Sequence, residues 1–403
     1  MGTADAGHVV GLAVGRGTGA EVAAVFERVL NRFARLYGRT VTVERGPRTY
    51  HSYVSLKNEA GIGAGGISGA GIGGGRAGQG GDDGAVEEIR RLTRLDADHY
   101  ERFVRARAAA GTRVIFRTAI NAQTLYLVRQ RLQAVKVDTL DAAGARLLLV
   151  RDQAQGFYTG DNEHLPGRVR RVTEFSREIT EKVLRHALDR AWQEWPDEGP
   201  ARIVMAYKFH LLDGALDAWV AAFARRHGLD VQVFQPDTVN RNLITHGPAD
   251  RTVLVAGNEW ADIMHVVLLD RFGAGRQEEH CTRNVHLHGD VAGLVEYQTV
   301  HGSADDLEGR DLVNPVATVR ASAAVAEQYA GCDGAVAAAE RALDRVREAG
   351  VRTPDLGGRH STTAVVDAVL AALEPAAGKL PPARAEPEPE PEPSTVIAPA
   401  AGP

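Results

Sequence analysis

Five side chains in the middle of the chain carry its most concrete chemistry. Arg151 and Tyr158 follow an apolar run ending at Val150, in LLLVRDQAQGFYTGDNEH. Lys208 follows a run starting at Ile203, in IVMAYKFHLLDG; Asp237 follows one starting at Val231, in FQPDTVNRNLI; Asp262 lies past one starting at Thr252, in VLVAGNEWADIMHV. In an open α/β sheet, polar residues just beyond strand C-termini line the crevice where ligands bind. Two carboxylates, a guanidinium, an ammonium and a phenol in one crevice can hold a divalent cation and an anionic substrate. Taken singly, each reads as a surface residue or a satisfied buried one; as a set they point to a site.

Other segments also invite chemistry. The turn Gly15-x-Gly17-x-Gly19 sits between a strand pattern and a helix pattern, where glycine permits a tight turn and close backbone approach. Its third glycine falls one position early for a dinucleotide fingerprint, so a plain strand-to-helix turn is an equal reading. The segment YQTVHGSADDLEGRDLVNPVATV at 297–319 puts His, Gly, acids and Asn before a Pro-led helix, a loop able to clasp an adenosine. HCTRNVHLHGD at 280–290 groups three His and one Cys without the spacing of a structural zinc site, and reads as a polar loop. RVRR at 168–171 reads as a solvated face, or as a patch beside an anionic substrate.

The elements that must position these side chains alternate. Strand patterns fall at 9–14, 40–44, 113–116, 146–150, 203–206, 231–234 and 252–256. Helix patterns fall at 20–38, 99–110, 176–194, 213–228, 321–329, 334–349 and 362–373. This alternation predicts an α/β protein with a largely parallel core. Residues 60–85 are about half Gly and read as a flexible insertion. The Glu-Pro repeats within 379–403 read as a stiff, disordered tail.

Composition bounds the function classes. With 403 residues, 44% hydrophobic and 25% charged, the chain has material for a real core and about two or three domains. A formal net charge of −5 leaves no basic footprint for nucleic acid. No apolar run approaches the roughly 20 residues that cross a bilayer, and the N-terminus lacks the charged region of a signal peptide. The 2 Cys exclude a disulfide scaffold and suit a reducing compartment, so the expected location is cytoplasmic.

Nearly all of the chain outside the Gly insertion and the tail resembles the β-decarboxylating dehydrogenases, the family of isocitrate, isopropylmalate, homoisocitrate and tartrate dehydrogenases. HGSADDLEGRDLVNP from His301 is similar to the family's HGSAPDIAGKGIANP, and RTPDLGGRHST at 352–362 matches its closing RTPDLGG-x-x-ST. GRGTGAEV at 15–22, GFYTG at 156–160 and GNEWADIMHV at 257–266 look like its GDGIGPEV, GIYFG and ENxFGDILSD. The resemblance implies a two-domain α/β fold of the isopropylmalate/isocitrate dehydrogenase type, not a Rossmann domain, with the active site in the interdomain cleft. Residues 8–115 and 267–374 would form a discontinuous, cofactor-binding large domain, and 116–266 a small domain with the dimer interface. The active sites of a homodimer would be shared: Lys208 and Asp237 would enter from the partner of the chain supplying Tyr158 and Asp262.

The implied reaction uses NAD and Mg2+ or Mn2+ to oxidise a 2-hydroxy acid, with decarboxylation at the neighbouring carbon. Asp237 and Asp262 would bind the metal, Lys208 would move the hydroxyl proton, Tyr158 would protonate the enolate and Arg151 would pair with a substrate carboxylate. His301, Gly302, Ser303, Ala304, Asp306, Asn314 and Asn258 would hold the cofactor, Asp306 accepting from the adenosine ribose and repelling a 2′-phosphate.

Several positions depart from the family pattern. Val266 stands where a third carboxylate is expected, Gln298 in place of a Glu, Arg16 in place of the opening Asp and Ala20 in place of a Pro. If AVK at 134–136 aligns with the family's PVK, its two substrate arginines fall on Gln123 and Gln133; a shifted alignment offers Arg129 or Arg131. Gln cannot supply the charge of a guanidinium fork. The sequence therefore predicts an atypical 2-hydroxy acid, in a specialised biosynthetic pathway. The alternative is a non-catalytic regulatory or ligand-binding relative.

Overall fold

The computed structural model describes residues 7–62, 82–274 and 279–374. The Glu-Pro tail and residues 63–81 of the Gly-rich insertion lie outside the described residues. In chain order the first elements are β1 (His8–Gly15), α1 (Gly19–Leu36), β2 (Val41–Tyr50), α2 (Tyr53–Glu59), α3 (Asp82–Ala109), β3 (Val114–Arg117) and α4 (Ala122–Arg131). The middle supplies β4 (Ala134–Ala142), β5 (Ala145–Asp152), β6 (Asp161–Leu165), β7 (Arg168–Val172), α5 (Arg177–Glu194), β8 (Arg202–Ala206) and α6 (Ala215–His227). Then come β9 (Val231–Phe234), α7 (Pro236–His246), β10 (Thr252–Gly257) and α8 (Asn258–Val266). The last are β11 (Cys281–His286), β12 (Val295–Thr299), α9 (Val316–Tyr329), α10 (Ala335–Glu348) and α11 (Thr362–Ala372).

A 10-stranded sheet runs β2-β1-β3-β12-β11-β4-β5-β10-β8-β9, while β6 and β7 form a separate hairpin. Both wings are parallel: β2-β1-β3-β12 from the chain's two ends and β5-β10-β8-β9 from its middle. Between them β11 pairs antiparallel with β12 and β4, and β4 pairs antiparallel with β5. The parallel core expected from the alternation is thus two parallel wings stitched by an antiparallel seam.

Burial explains the wings. In β10, Val253 and Val255 face a layer containing α5 and α6, whereas Leu254 and Ala256 face one containing α7 and α8. A strand covered on both sides reads as a continuous apolar run. In the other wing α1 buries Val22, Phe26, Val29, Leu30 and Phe33 at helical spacing. Phe26 stacks on Phe116 of β3 with ring centroids 4.0 Å apart. Phe26→Ala should therefore cost about 3–5 kcal/mol, read as a lowered denaturant midpoint.

Local signals set the helix ends. The Ser176 hydroxyl accepts from the Ile179 N–H at 3.5 Å and caps α5; Gly228, at φ 65°, ends α6. Two readings need correction. Helix α3 starts at Asp82, inside the segment read as flexible, and not at 99. Its early turns are held by exposed Glu87–Arg90 and Glu88–Arg91 pairs, which leave little apolar periodicity. The segment at 280–290 is largely strand β11 rather than a polar loop: Thr282, Asn284 and His286 are buried on one face. Among the described residues no helix is long and apolar enough to cross a membrane.

Candidate active site

The C-terminal ends of β5, β10, β8 and β9 lie side by side, with Arg151 opposite Ala256 and Asp152 opposite Gly257. A cavity of about 280 Å3 opens at the β5 and β10 ends against α4 and the seam. Tyr126 and Arg129 of α4, Lys136 of β4, Arg151 of β5, and Asn258 and Asp262 of α8 line it. The Arg151 Nε donates to Asp138 at 3.1 Å, and its Nη1 donates to Asp262. The Tyr158 hydroxyl donates to the other Asp262 oxygen at 3.4 Å. Burial, and then the Asp262 charge, push the Tyr158 phenol up to about 12, so it stays protonated as a donor.

The loop carrying Tyr158 is shaped by its glycines. Gly156 takes φ 108° and lies over Glu259, where a Cβ would stand 3.2 Å from a carboxylate oxygen. Glu259 accepts from the Phe157 N–H at 3.5 Å. The Tyr158 ring is then stacked on Tyr126, centroids 4.8 Å apart.

Three cationic side chains converge on this cavity. Burial pushes Arg129 down to about 10, so it remains charged at neutral pH. Its Nη2 donates to Gln298 at 3.3 Å, its guanidinium lies 5.9 Å from the Tyr126 ring centre, and its buried Nε has no partner among the described residues. Burial pushes Lys136 down to about 7, opposed by the charge of Asp138. Burial alone would raise the Asp138 carboxyl, but Lys136 and Arg151 hold it below its ordinary value. Asp262 is the one carboxylate on the cavity wall, so the site is built to attract an anion. Gln123 and Gln133 do not line this cavity, and Arg131 pairs with Asp98 and Glu101 on the surface. Of Arg129 and Arg131, the one that reaches the cavity beside Arg151 is Arg129. Anchoring on AVK hid it; its place on the inner face of α4 is the signal that finds it.

Lys208 and Asp237 meet each other elsewhere. The Lys208 Nζ donates to Gln235 at 3.1 Å and to Asp237 at 2.5 Å, and lies 5.7 Å from the Trp260 ring centre. They follow β8 and β9, one and two strands from β10, so roughly 5 and 10 Å along the sheet edge separate them from the Asp262 side. Neither lines the 280 Å3 cavity.

One chain alone does not fit a divalent cation. Its cavity offers Asp262, already bonded to Arg151 and Tyr158, and Val266 where another carboxylate would stand. A hard cation takes about six oxygens. Among the described residues no group of three or more His, Cys, Asp and Glu is poised for a metal.

The loop from His301 fits an adenosine better. The His301 Nδ1 faces the Gly302 carbonyl at 3.1 Å, and its buried Nε2 has no partner among the described residues. Ala304 takes φ 41°, and the exposed Asp306 carboxylate has no polar partner among the described residues. Asn314 is more committed: its amide donates to Asp355 at 2.8 Å and its oxygen accepts from the Val316 N–H at 3.0 Å. Asn258, in the other cavity, accepts from Gln153 at 3.3 Å. The opening Gly turn holds this loop: the Thr18 N–H and hydroxyl both donate to the Ser303 carbonyl at 2.9 Å. Gly17 passes so near that a Cβ would stand 2.5 Å from that oxygen. The turn thus buttresses the loop from His301.

The family model described as isocitrate/isopropylmalate dehydrogenase matches residues 115–369. The chain belongs to that family. It is 29% identical over 230 residues to the 3-isopropylmalate/3-methylmalate dehydrogenase of Methanocaldococcus jannaschii, covering 55% of this chain and 66% of that one. It is 35% identical over 134 residues to the 3-isopropylmalate dehydrogenase of Anaeromyxobacter dehalogenans, covering 33% and 36%. The matches to the curated relatives thus span about a quarter to two thirds of their lengths. Among solved structures, isocitrate dehydrogenase from Methylococcus capsulatus has a TM-score of 0.59 at 17% identity, covering 91% of this chain and 99% of that one. The β-decarboxylating dehydrogenase from Thermococcus kodakarensis has 0.55 at 22%, covering 91% and 96%. The mixed sheet is therefore the isocitrate/isopropylmalate dehydrogenase fold.

Proposed function

We propose that this chain is an NAD-dependent dehydrogenase that oxidises a 2-hydroxy acid and releases CO2 from the adjacent carbon. The observation that carries this reading is a protonated Tyr158 on Asp262 at the mouth of a cavity lined by Arg129, Lys136 and Arg151. Arg129 and Arg151 grip the substrate carboxylates, and Lys136 adds charge as the anion arrives. Tyr158 gives its proton to the enolate carbon after CO2 leaves. The His301–Asp306 stretch holds the adenosine; the free Asp306 carboxylate accepts from ribose hydroxyls and repels a 2′-phosphate, so NAD is preferred to NADP. NAD, when bound, accepts the hydride.

The proposal includes a homodimer. Lys208 and Asp237 of the partner subunit reach the cavity that Tyr158 and Asp262 line, and Lys208 takes the hydroxyl proton. Mg2+ or Mn2+ would then be held by Asp262 with Asp237 of the partner subunit, supplying Lewis acidity at the hydroxyl. The division into a large domain (8–115 and 267–374) and a small one (116–266) belongs to this reading. So do a cytoplasmic location and a specialised pathway.

NADH formation with Mg2+ or Mn2+ across a panel of substituted malates and isocitrates tests the reading. At least one should turn over, faster with NAD than with NADP. No turnover on any, with NAD still bound, would favour the ligand-binding alternative, for which Val266 on the cavity wall is the supporting observation. Lys136 supplies a second check. With its pKa near 7 it is mostly neutral at pH 8, and a bound dianion raises that value. Malate binding at pH 8 should therefore take up a proton, and uptake should fade toward pH 6. Calorimetry in buffers of different ionisation enthalpy measures this, and Lys136→Met should abolish it.

A further inference from the structure

The seam between the wings contains a second polar slot. Strands β4 and β11 pair only where Ala134 to Val137 meet His286 to Arg283. Beyond Val137, β4 continues beside β5 to Ala142, while His280, just before Cys281, is not in a strand. The divergence opens a cavity of about 220 Å3, lined by Arg190 of α5, Arg283 and Cys281 of β11, His280, His265 and Asp138. His265 lines this slot and the catalytic cavity alike.

Its positive charge is poorly compensated. Arg190 pairs with Glu194 at 2.8 Å, but its buried Nε has no partner among the described residues. Arg283 meets no carboxylate among the described residues. Burial first, and then the neighbouring Arg283 charge, lower the Arg190 pKa. His186 on the same helix is half-buried, its buried Nε2 has no partner among the described residues, and it feels both guanidiniums. Asp138, the slot's own carboxylate, is committed to Arg151 at 3.1 Å. Two half-buried guanidiniums facing one slot, with Arg283 bonded among the described residues only to the Tyr297 hydroxyl, favour an anion between them. Zinc does not suit this place: among the described residues no group of three or more His, Cys, Asp and Glu is poised for a metal.

We propose that this slot is a binding site for a small polyanion, gripped by Arg190 and Arg283 with His280 as a neutral donor. Its volume falls below the roughly 300–1,000 Å3 of drug-sized sites, so the ligand is a compact phosphate ester or polycarboxylate. Pyrophosphate and citrate, each titrated calorimetrically into the full chain at low ionic strength, separate those two sources. At least one should bind saturably, with similar affinity in Arg129→Gln, and at least tenfold more weakly in Arg190→Gln and Arg283→Gln. Melting without ligand verifies that each variant is folded; if Arg190→Gln is not, Arg283→Gln on the half-buried face of β11 decides. No saturable binding of either probe overturns the proposal. So does binding unchanged in Arg283→Gln, or binding lost in Arg129→Gln.

Discussion

Chains carrying Tyr158→Phe and chains carrying Lys208→Ala, refolded together, should recover activity that neither has alone. Each change removes a proton-transfer group, a loss of about 10²–10⁴-fold. In a symmetric dimer with shared sites, a mixed pair holds one site lacking both groups and one site with both intact. With random pairing about half the dimers are mixed, so the mixture should regain about a quarter of wild-type activity. If both groups served the same chain's site, mixing would regain nothing. The separation in the fold motivates the experiment: within one chain, Lys208 is bonded to Asp237 and Gln235, and neither Lys208 nor Asp237 lines the cavity that holds Asp262.

Arg129→Gln should lower kcat/KM by at least about 10²-fold, because it deletes a buried charge facing the substrate carboxylate. Arg129→Lys should recover only part of that loss, since an ammonium cannot reproduce the fork. Arg131→Gln, two residues on, should change little: its partners, exposed Asp98 and half-buried Glu101, leave the cavity untouched. Steady-state kinetics on the best substrate of the panel measures all three. Equal losses in Arg129→Gln and Arg131→Gln would mean that α4 acts through stability alone.

Much of the scaffold was legible because the wings obey simple periodicities. Doubly covered strands such as β10 read as apolar runs, and α5 announces itself by Ser176 and its spacing. The seam was not legible, because its strands bury polar groups. In β11, Thr282, Asn284 and His286 face inward, and in β12 Glu296 lies buried beside Arg117 at 2.6 Å. Burial alone would raise the Glu296 carboxyl, but Arg117 and its other neighbours hold it down at about 2. A hydrophobicity pattern cannot see strands whose inner faces are polar. For the site, Arg151 and Asp262 could be placed beyond strand C-termini, but chain order does not reveal that β5 and β10 are neighbours. Arg129 could not, because its role depends on which face of α4 turns inward.

The tether between Thr18 and Ser303 has a consequence for how the chain becomes native. The two residues are 285 positions apart, and β1 itself lies between β2 and β3 while β12 joins on the far side of β3. Contacts of such long range form late, because the intervening polymer must first be confined. The loop from His301 is consequently unable to mature from its own neighbourhood. During refolding, secondary structure should return before the capacity to bind nucleotide, and a chain cut short at its first strand should lose that capacity.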